Sequence, residues 1–64
     1  MVRLNGQEID AAGKTISEII EKEGYNAARL AVELNGSIVP KAKYAETVVS
    51  DDDVIEIVSF VGGG

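Results

Sequence analysis

Cysteine, histidine and tryptophan are absent from the 64-residue sequence, and proline occurs once. Without cysteine there is no disulfide framework, no thiolate metal site and no sulfur nucleophile, and without histidine the usual general base is missing as well. The chain is therefore expected not to be an enzyme. Cations are scarce too, with 6 Lys and Arg against 11 Asp and Glu and a formal charge of −5. Nucleic-acid binding needs clustered Lys and Arg to release counterions, so neither DNA nor RNA is an expected partner. A basic protein surface is a better match. No apolar run approaches the roughly 20 residues of a membrane span, and the N-terminal residues lack the order of a signal peptide. These absences point to a cytoplasmic domain with no membrane partner. Domains of about 60 residues bury only roughly 60% of their unfolded surface, so a stable fold requires good patterning.

The residues that are present supply it. Apolar residues make up 45% of the chain and are spread along its length, which argues against disorder. Val2-Arg3-Leu4 and Gln7-Glu8-Ile9 flank Asn5-Gly6, the dipeptide best suited to a type I′ turn, so the chain is expected to open with a β-hairpin. Ala11 to Lys14 read as a linker. Thr15-Ile16-Ser17-Glu18 reads as a capping box, with Ile16, Ile19 and Ile20 forming one apolar stripe and Gly24 supplying the left-handed stop. Tyr25 then falls where a contact with Ile20 closes the helix. Leu30 to Leu34 alternate before a second Asn-Gly turn at Asn35-Gly36, and Ser37-Ile38-Val39 pairs back until Pro40 stops it. Lys41 to Tyr44 suggest one irregular helical turn. Asp51-Asp52-Asp53 marks a turn, and Val54 to Phe60 is the strongest strand signal, with Ile55 and Ile57 on one face.

The order is β-β-α-β-β-β, an α+β roll with one helix crossing a mixed sheet whose first and last strands are neighbours. This is the β-grasp (ubiquitin-like) arrangement. The expected core is Leu4, Ile9, Ile16, Ile19, Ile20, Val32, Leu34, Val39, Ile55 and Ile57. The expected division is a β-grasp domain over residues 1–61 and a glycine tail over 62–64.

That tail is where chemistry is expected. The best strand runs directly into Phe60-Val61-Gly62-Gly63-Gly64. Three terminal glycines are read either as a frayed end or as a tail to be threaded into another protein's active site. Extended, they reach roughly 10 Å beyond the domain. Glycine leaves the carbonyl carbon of Gly64 open to attack, but an ionised α-carboxylate is a poor electrophile and has to be activated, as by adenylation. No Gly-rich loop leading to Lys-Ser/Thr is available to hold ATP here, so a partner enzyme would act on this chain as its substrate. Val58 and Phe60 project opposite Ile55 and Ile57. With Ala31, Glu33 and Val61 they make either a docking patch beside the tail or ordinary packing under a loop.

Together these residues resemble the ThiS family of small sulfur carriers in thiamine biosynthesis, within the wider ThiS/MoaD ubiquitin-like group. The resemblance runs through Leu4-Asn5-Gly6, Thr15 to Ile20, Ala31 to Gly36, Ile38 to Lys41, and Val54 to Gly64. It implies that a ThiF-like, E1-like adenylyltransferase activates Gly64 with ATP, while the carrier itself binds no cofactor. A persulfide from a cysteine desulfurase or sulfurtransferase then leaves a thiocarboxylate, and a ThiG-like thiazole synthase receives the sulfur. Other sulfur carriers of the group, such as the small subunit of molybdopterin synthase, and ubiquitin-like modifiers share this chemistry. A plain β-grasp interaction module is the alternative from another class. Asp51-Asp52-Asp53 stands where the family is expected to carry Asp-Gly-Asp, so Asp52 has to take a left-handed conformation.

Other candidates have simpler readings. Three consecutive carboxylates do not converge on one cation as spaced loop ligands do. Tyr25 and Tyr44 read as a helix-stop contact and a loop anchor, and Glu18 and Glu23 as capping and helix-surface residues.

Overall fold

Two Asn-Gly turns and one capped helix organise the chain. The computed structural model describes residues 1–60. Strands β1 (Val2–Leu4) and β2 (Gln7–Ile9) form an antiparallel hairpin in which Leu4 pairs with Gln7 across Asn5-Gly6. Strands β3 (Leu30–Leu34) and β4 (Ser37–Val39) repeat the device, with Leu34 opposite Ser37. Asn5 and Gly6 have φ of 49° and 84°, and Asn35 and Gly36 have φ of 51° and 85°, the positive values that a type I′ turn requires. Strand β5 (Val54–Ser59) lies at the centre of a five-stranded sheet of order β2-β1-β5-β3-β4. It is parallel to β1 and antiparallel to β3, so the first and last strands are neighbours as the sequence implies.

Helix α1 (Ile16–Lys22) carries the expected caps. Thr15 Oγ1 accepts from the Glu18 amide at 3.1 Å, and Glu18 Oε1 accepts from the Thr15 amide at 2.8 Å. At the other end Gly24 takes φ 82°, while the Tyr25 and Gly24 amides donate to the Ile20 and Glu21 carbonyls, the paired bonds of a Schellman stop. A seven-residue helix is too short to persist alone, so its stability comes from the stripe of Ile16, Ile19 and Ile20, all buried against the sheet.

The enclosed core differs from its expected composition at several positions. Ile9 and Leu34 are only partly buried, because β2 is an edge strand and Leu34 immediately precedes a turn. Val2, Ala11, Leu30, Tyr44 and Val49 are buried in addition. Ala11 to Lys14 is more than a linker. The Gly13 amide donates to Val49 O and the Val49 amide to Lys14 O, which sews this segment to the stretch before β5. A 3₁₀ turn over Ala27–Arg29 leads into β3, and another over Lys41–Lys43 follows Pro40 and ends at Tyr44. Tyr44 is thereby the loop anchor that its position suggests. Among the described residues no helix is long and apolar enough to cross a membrane.

Candidate functional site: the open sheet face and the strand leading to the C-terminus

The side chains of β5 alternate strictly. Ile55 and Ile57 enter the core, while Val54, Glu56 and Val58 stand on the face that the helix leaves uncovered. Register then decides which residues meet them. Val58 is opposite Ala31 and Glu56 is opposite Glu33, and beyond β3 Glu33 is opposite Ile38 of β4. Phe60 follows Val58 by two residues, is exposed, and donates its amide to Arg29 O at 2.7 Å. Ala31, Glu33, Val58 and Phe60, grouped from alternation alone, are thus brought to one region. Val61, Gly62, Gly63 and Gly64 lie outside the described residues. Ile38 is missed by sequence reasoning. A three-residue strand bounded by a turn and a proline gives too short an alternation to assign a face, and only the pairing with Glu33 does so.

Both turn asparagines grip β5 with their side chains. β1 ends before β5 does, and Asn5 continues the ladder: its Oδ1 accepts from the Ile57 amide at 2.8 Å, and its Nδ2 donates to Ile57 O at 3.1 Å. Nδ2 also donates to Tyr25 Oη at 3.2 Å, tying the helix stop to the same point. At the start of β5, Asn35 Oδ1 accepts from the Val54 amide at 2.9 Å and Asn35 Nδ2 donates to Asp53 Oδ1 at 3.0 Å. The strand that runs to the carboxyl end is therefore held at two points by side-chain amides of the residues that also form the turns. Replacing Asn5 by glycine keeps the positive φ and removes only the grip. N5G is expected to destabilise the domain by about 1–2 kcal/mol, the typical effect of leaving a partly buried amide unpaired, read as a lower urea midpoint.

The Asp51-Asp52-Asp53 turn has a defined geometry. Asp52 takes φ 71°, the left-handed conformation expected where glycine is absent. The Asn35 amide and the Ser50 backbone N–H, at 2.8 Å from Asp53 Oδ2, hold the Asp53 carboxyl below the ordinary Asp value. The hydrogen bonds from Thr15 lower Glu18 likewise. Because these groups bind protons less readily folded than unfolded, their stabilisation is full above the ordinary carboxylate range and is lost as the pH falls through the depressed folded values. The difference in melting temperature between wild type and D53N is expected to be largest near neutrality and to shrink in acid.

A phosphate site at the helix entrance is excluded by bonding. Gly13-Lys14-Thr15 precedes α1, but the Gly13 and Lys14 amides donate to Val49 O and Ala11 O. The amides of Thr15, Ile16, Ser17 and Glu18 go to Glu18 Oε1, Thr47 O, Tyr44 O and Thr15 Oγ1. Every donor that a helix start offers an anion is already used.

A five-stranded mixed sheet crossed by one helix, with the first and last strands adjacent and parallel, puts the chain in the β-grasp, ubiquitin-like class. The ThiS family model matches residues 2–64, and the chain belongs to that family. It is 38% identical over 66 residues to the sulfur carrier protein ThiS of Bacillus subtilis, covering all of both chains. It is 42% identical over 62 residues to a thiazole synthase of Paramagnetospirillum magneticum, covering 95% of this chain. The chain spans only 19% of that synthase's length, and 20% of a second one from Magnetococcus marinus. The crystal structure of a ThiS thiamine biosynthesis protein from Geobacter metallireducens superposes with a TM-score of 0.79 at 30% identity, covering 98% of this chain and 97% of that one.

Proposed function

We propose that this chain is a sulfur carrier of thiamine biosynthesis, a protein co-substrate without catalytic residues of its own. The observation that carries the reading is the full-length match to sulfur carriers of the same size, in a chain whose central strand runs into the triple-glycine end. Residues 1–61 act as the body and 62–64 as the tail that enters a partner's active site. The Gly64 carboxylate attacks the α-phosphorus of ATP on a ThiF-like adenylyltransferase, and pyrophosphate leaves. The outer sulfur of a persulfide, carried by a cysteine desulfurase or sulfurtransferase, then adds to the Gly64 carbonyl carbon and AMP leaves. A second thiol of the donor system cleaves the S–S bond of the acyl disulfide so formed, making a disulfide with the donor's cysteine. The resulting thiocarboxylate supplies a thiazole synthase.

The thiazole synthases of P. magneticum and M. marinus each contain a stretch similar to nearly all of this chain, 95% and 98% of it, which supports a thiazole synthase as the receiving enzyme and favours thiamine over molybdopterin synthesis. Ala31, Glu33, Val58, Phe60 and Val61 serve as the docking residues beside the tail. The chemistry is that of the cytoplasm, where ATP and reduced sulfur donors are available. Incubation with ATP, adenylyltransferase and sulfur donor is expected to exchange one terminal oxygen for sulfur in the intact mass. Failure of that exchange, in a system that loads a known carrier, overturns the reading. High-molecular-weight conjugates in cells, lost when Gly64 is removed, would instead identify a modifier.

A further inference from the structure

Both type I′ turns are built on the same tripeptide, Leu4-Asn5-Gly6 and Leu34-Asn35-Gly36. An asparagine followed by glycine is chemically reactive. Once hydroxide removes its proton, the glycine amide nitrogen adds to Cγ of the asparagine and ammonia leaves, closing a five-membered succinimide. Water then opens the ring at either carbonyl, giving aspartate or, with the main chain rerouted through the β-carboxyl, isoaspartate. Glycine is the successor that hinders this attack least, because it has no Cβ. In both turns the attacking nitrogen is free. Among the described residues neither the Gly6 nor the Gly36 amide donates a hydrogen bond, and outside the adjoining residues no atom lies within 4 Å of where a Cβ would stand. The carbon under attack is the part that is held. Asn5 bonds the Ile57 amide, Ile57 O and Tyr25 Oη, while Asn35 bonds the Val54 amide and Asp53 Oδ1.

We propose that Asn5 and Asn35 are modification sites, at which loss of the side-chain ammonia is held back by the native hydrogen bonds to β5 and, once it occurs, loosens that strand. The brake is geometric. Ring closure swings the carboxamide onto its own backbone, so its bonds to β5 have to open first, in a local unfolding event. The consequence comes from exchanging a donor for an acceptor. At Asn5 the group that donates to Ile57 O is replaced by a carboxylate oxygen facing that carbonyl. At Asn35 it is replaced by a second carboxylate against Asp53, a like-charged pair in place of a hydrogen bond. Isoaspartate adds a carbon to the main chain of a two-residue turn and shortens the arm that reaches β5. Asn5 is braked more firmly than Asn35, because it makes three bonds, two of them partly buried, against two exposed ones. With the same tripeptide at both sites, that difference belongs to the fold.

In the test the full chain is aged near neutral pH, folded and in guanidinium chloride, and its peptides are mapped for aspartate and isoaspartate at each site. The two sites are expected to react at like rates in denaturant. In the folded protein both slow, and Asn5 slows by at least about fivefold more than Asn35, the weight of one further hydrogen bond. Y25F removes an acceptor of Asn5 alone, so it is expected to speed loss at Asn5 and leave Asn35 unchanged. D53A is expected to do the reverse. N5D and N35D reproduce the aspartate products, and each is expected to melt below wild type. Equal rates in the folded and denatured chain overturn the inference, as does a Y25F effect shared equally by both sites. Wild-type melting temperatures in both product variants also overturn it, because β5 would then not depend on the amides. None of these outcomes touches sulfur loading, so the carrier reading stands or falls separately.

Discussion

Ending the chain at Gly63 is expected to abolish sulfur loading while the melting temperature stays that of wild type. The two halves of this result have separate causes. Among the described residues the buried cluster draws its members from positions between Val2 and Ile57, and a glycine has no side chain to add to it. The chemistry, by contrast, requires the carboxyl carbon at a fixed distance from the docked body. Shortening the tail by one residue withdraws it by about 3.3–3.6 Å, more than the tolerance of an aligned attack. G64A is the finer probe. It keeps the length and adds one methyl group beside the carbon that must become tetrahedral, and loading is expected to fall by roughly 10²-fold or more, the scale of small misplacements at a reacting centre. Intact-mass measurement after incubation with ATP, enzyme and sulfur donor reads both variants. Loading of the shortened chain at the wild-type rate would mean that the terminal glycine is not the reacting residue.

The second large effect lies in the core. Ile55 is fully enclosed at 0% exposure, on the central strand between β1 and β3. Truncation to alanine at such a site costs about 2–5 kcal/mol through lost burial and the cavity left behind. At roughly 0.05–0.15 kcal/mol per residue, the whole domain holds only about 3–10 kcal/mol. I55A is therefore expected to leave a large fraction of the chain unfolded at physiological temperature, seen as a collapse of the thermal transition by circular dichroism. V58A, further along the same strand but exposed, should change stability by no more than about 0.5 kcal/mol. A similar small effect for both variants would contradict the enclosure of Ile55. The contrast also separates the roles of the two faces of β5, one supporting the fold and the other free for a partner.

Local chemistry makes much of the fold legible in the chain itself. Asn5-Gly6 and Asn35-Gly36 specify their turns through φ > 0, Thr15 with Glu18 specifies the helix start, and Gly24 specifies its end. Each is a short-range rule satisfied within a few residues. The left-handed conformation of Asp52 is legible only through the family resemblance, which places a glycine at that position. The burial of Ala11, Tyr44 and Val49 is not legible in this way, because their partners are tens of residues away and their own neighbours show no period. Nor is the second use of the asparagines: nothing near Asn5 in sequence indicates that its amide bonds Ile57. The candidate docking face is readable as an alternation on β3 and β5, but Ile38 and the Glu33–Glu56 opposition are not. They depend on which residue faces which across strands, and a shift of one position would alter every pair.

The sequence by itself determined the hairpins, the helix with its caps, the buried side of β5 and the glycine end, because each follows from backbone sterics or from a side-chain period that neighbouring residues complete. Tertiary structure alone decided the register that opposes two glutamates on an open face, the side-chain ladder that holds β5, and the packing of the segments without periodicity. Those features arise from long-range pairing, whose energy belongs to two distant stretches jointly and is written in neither.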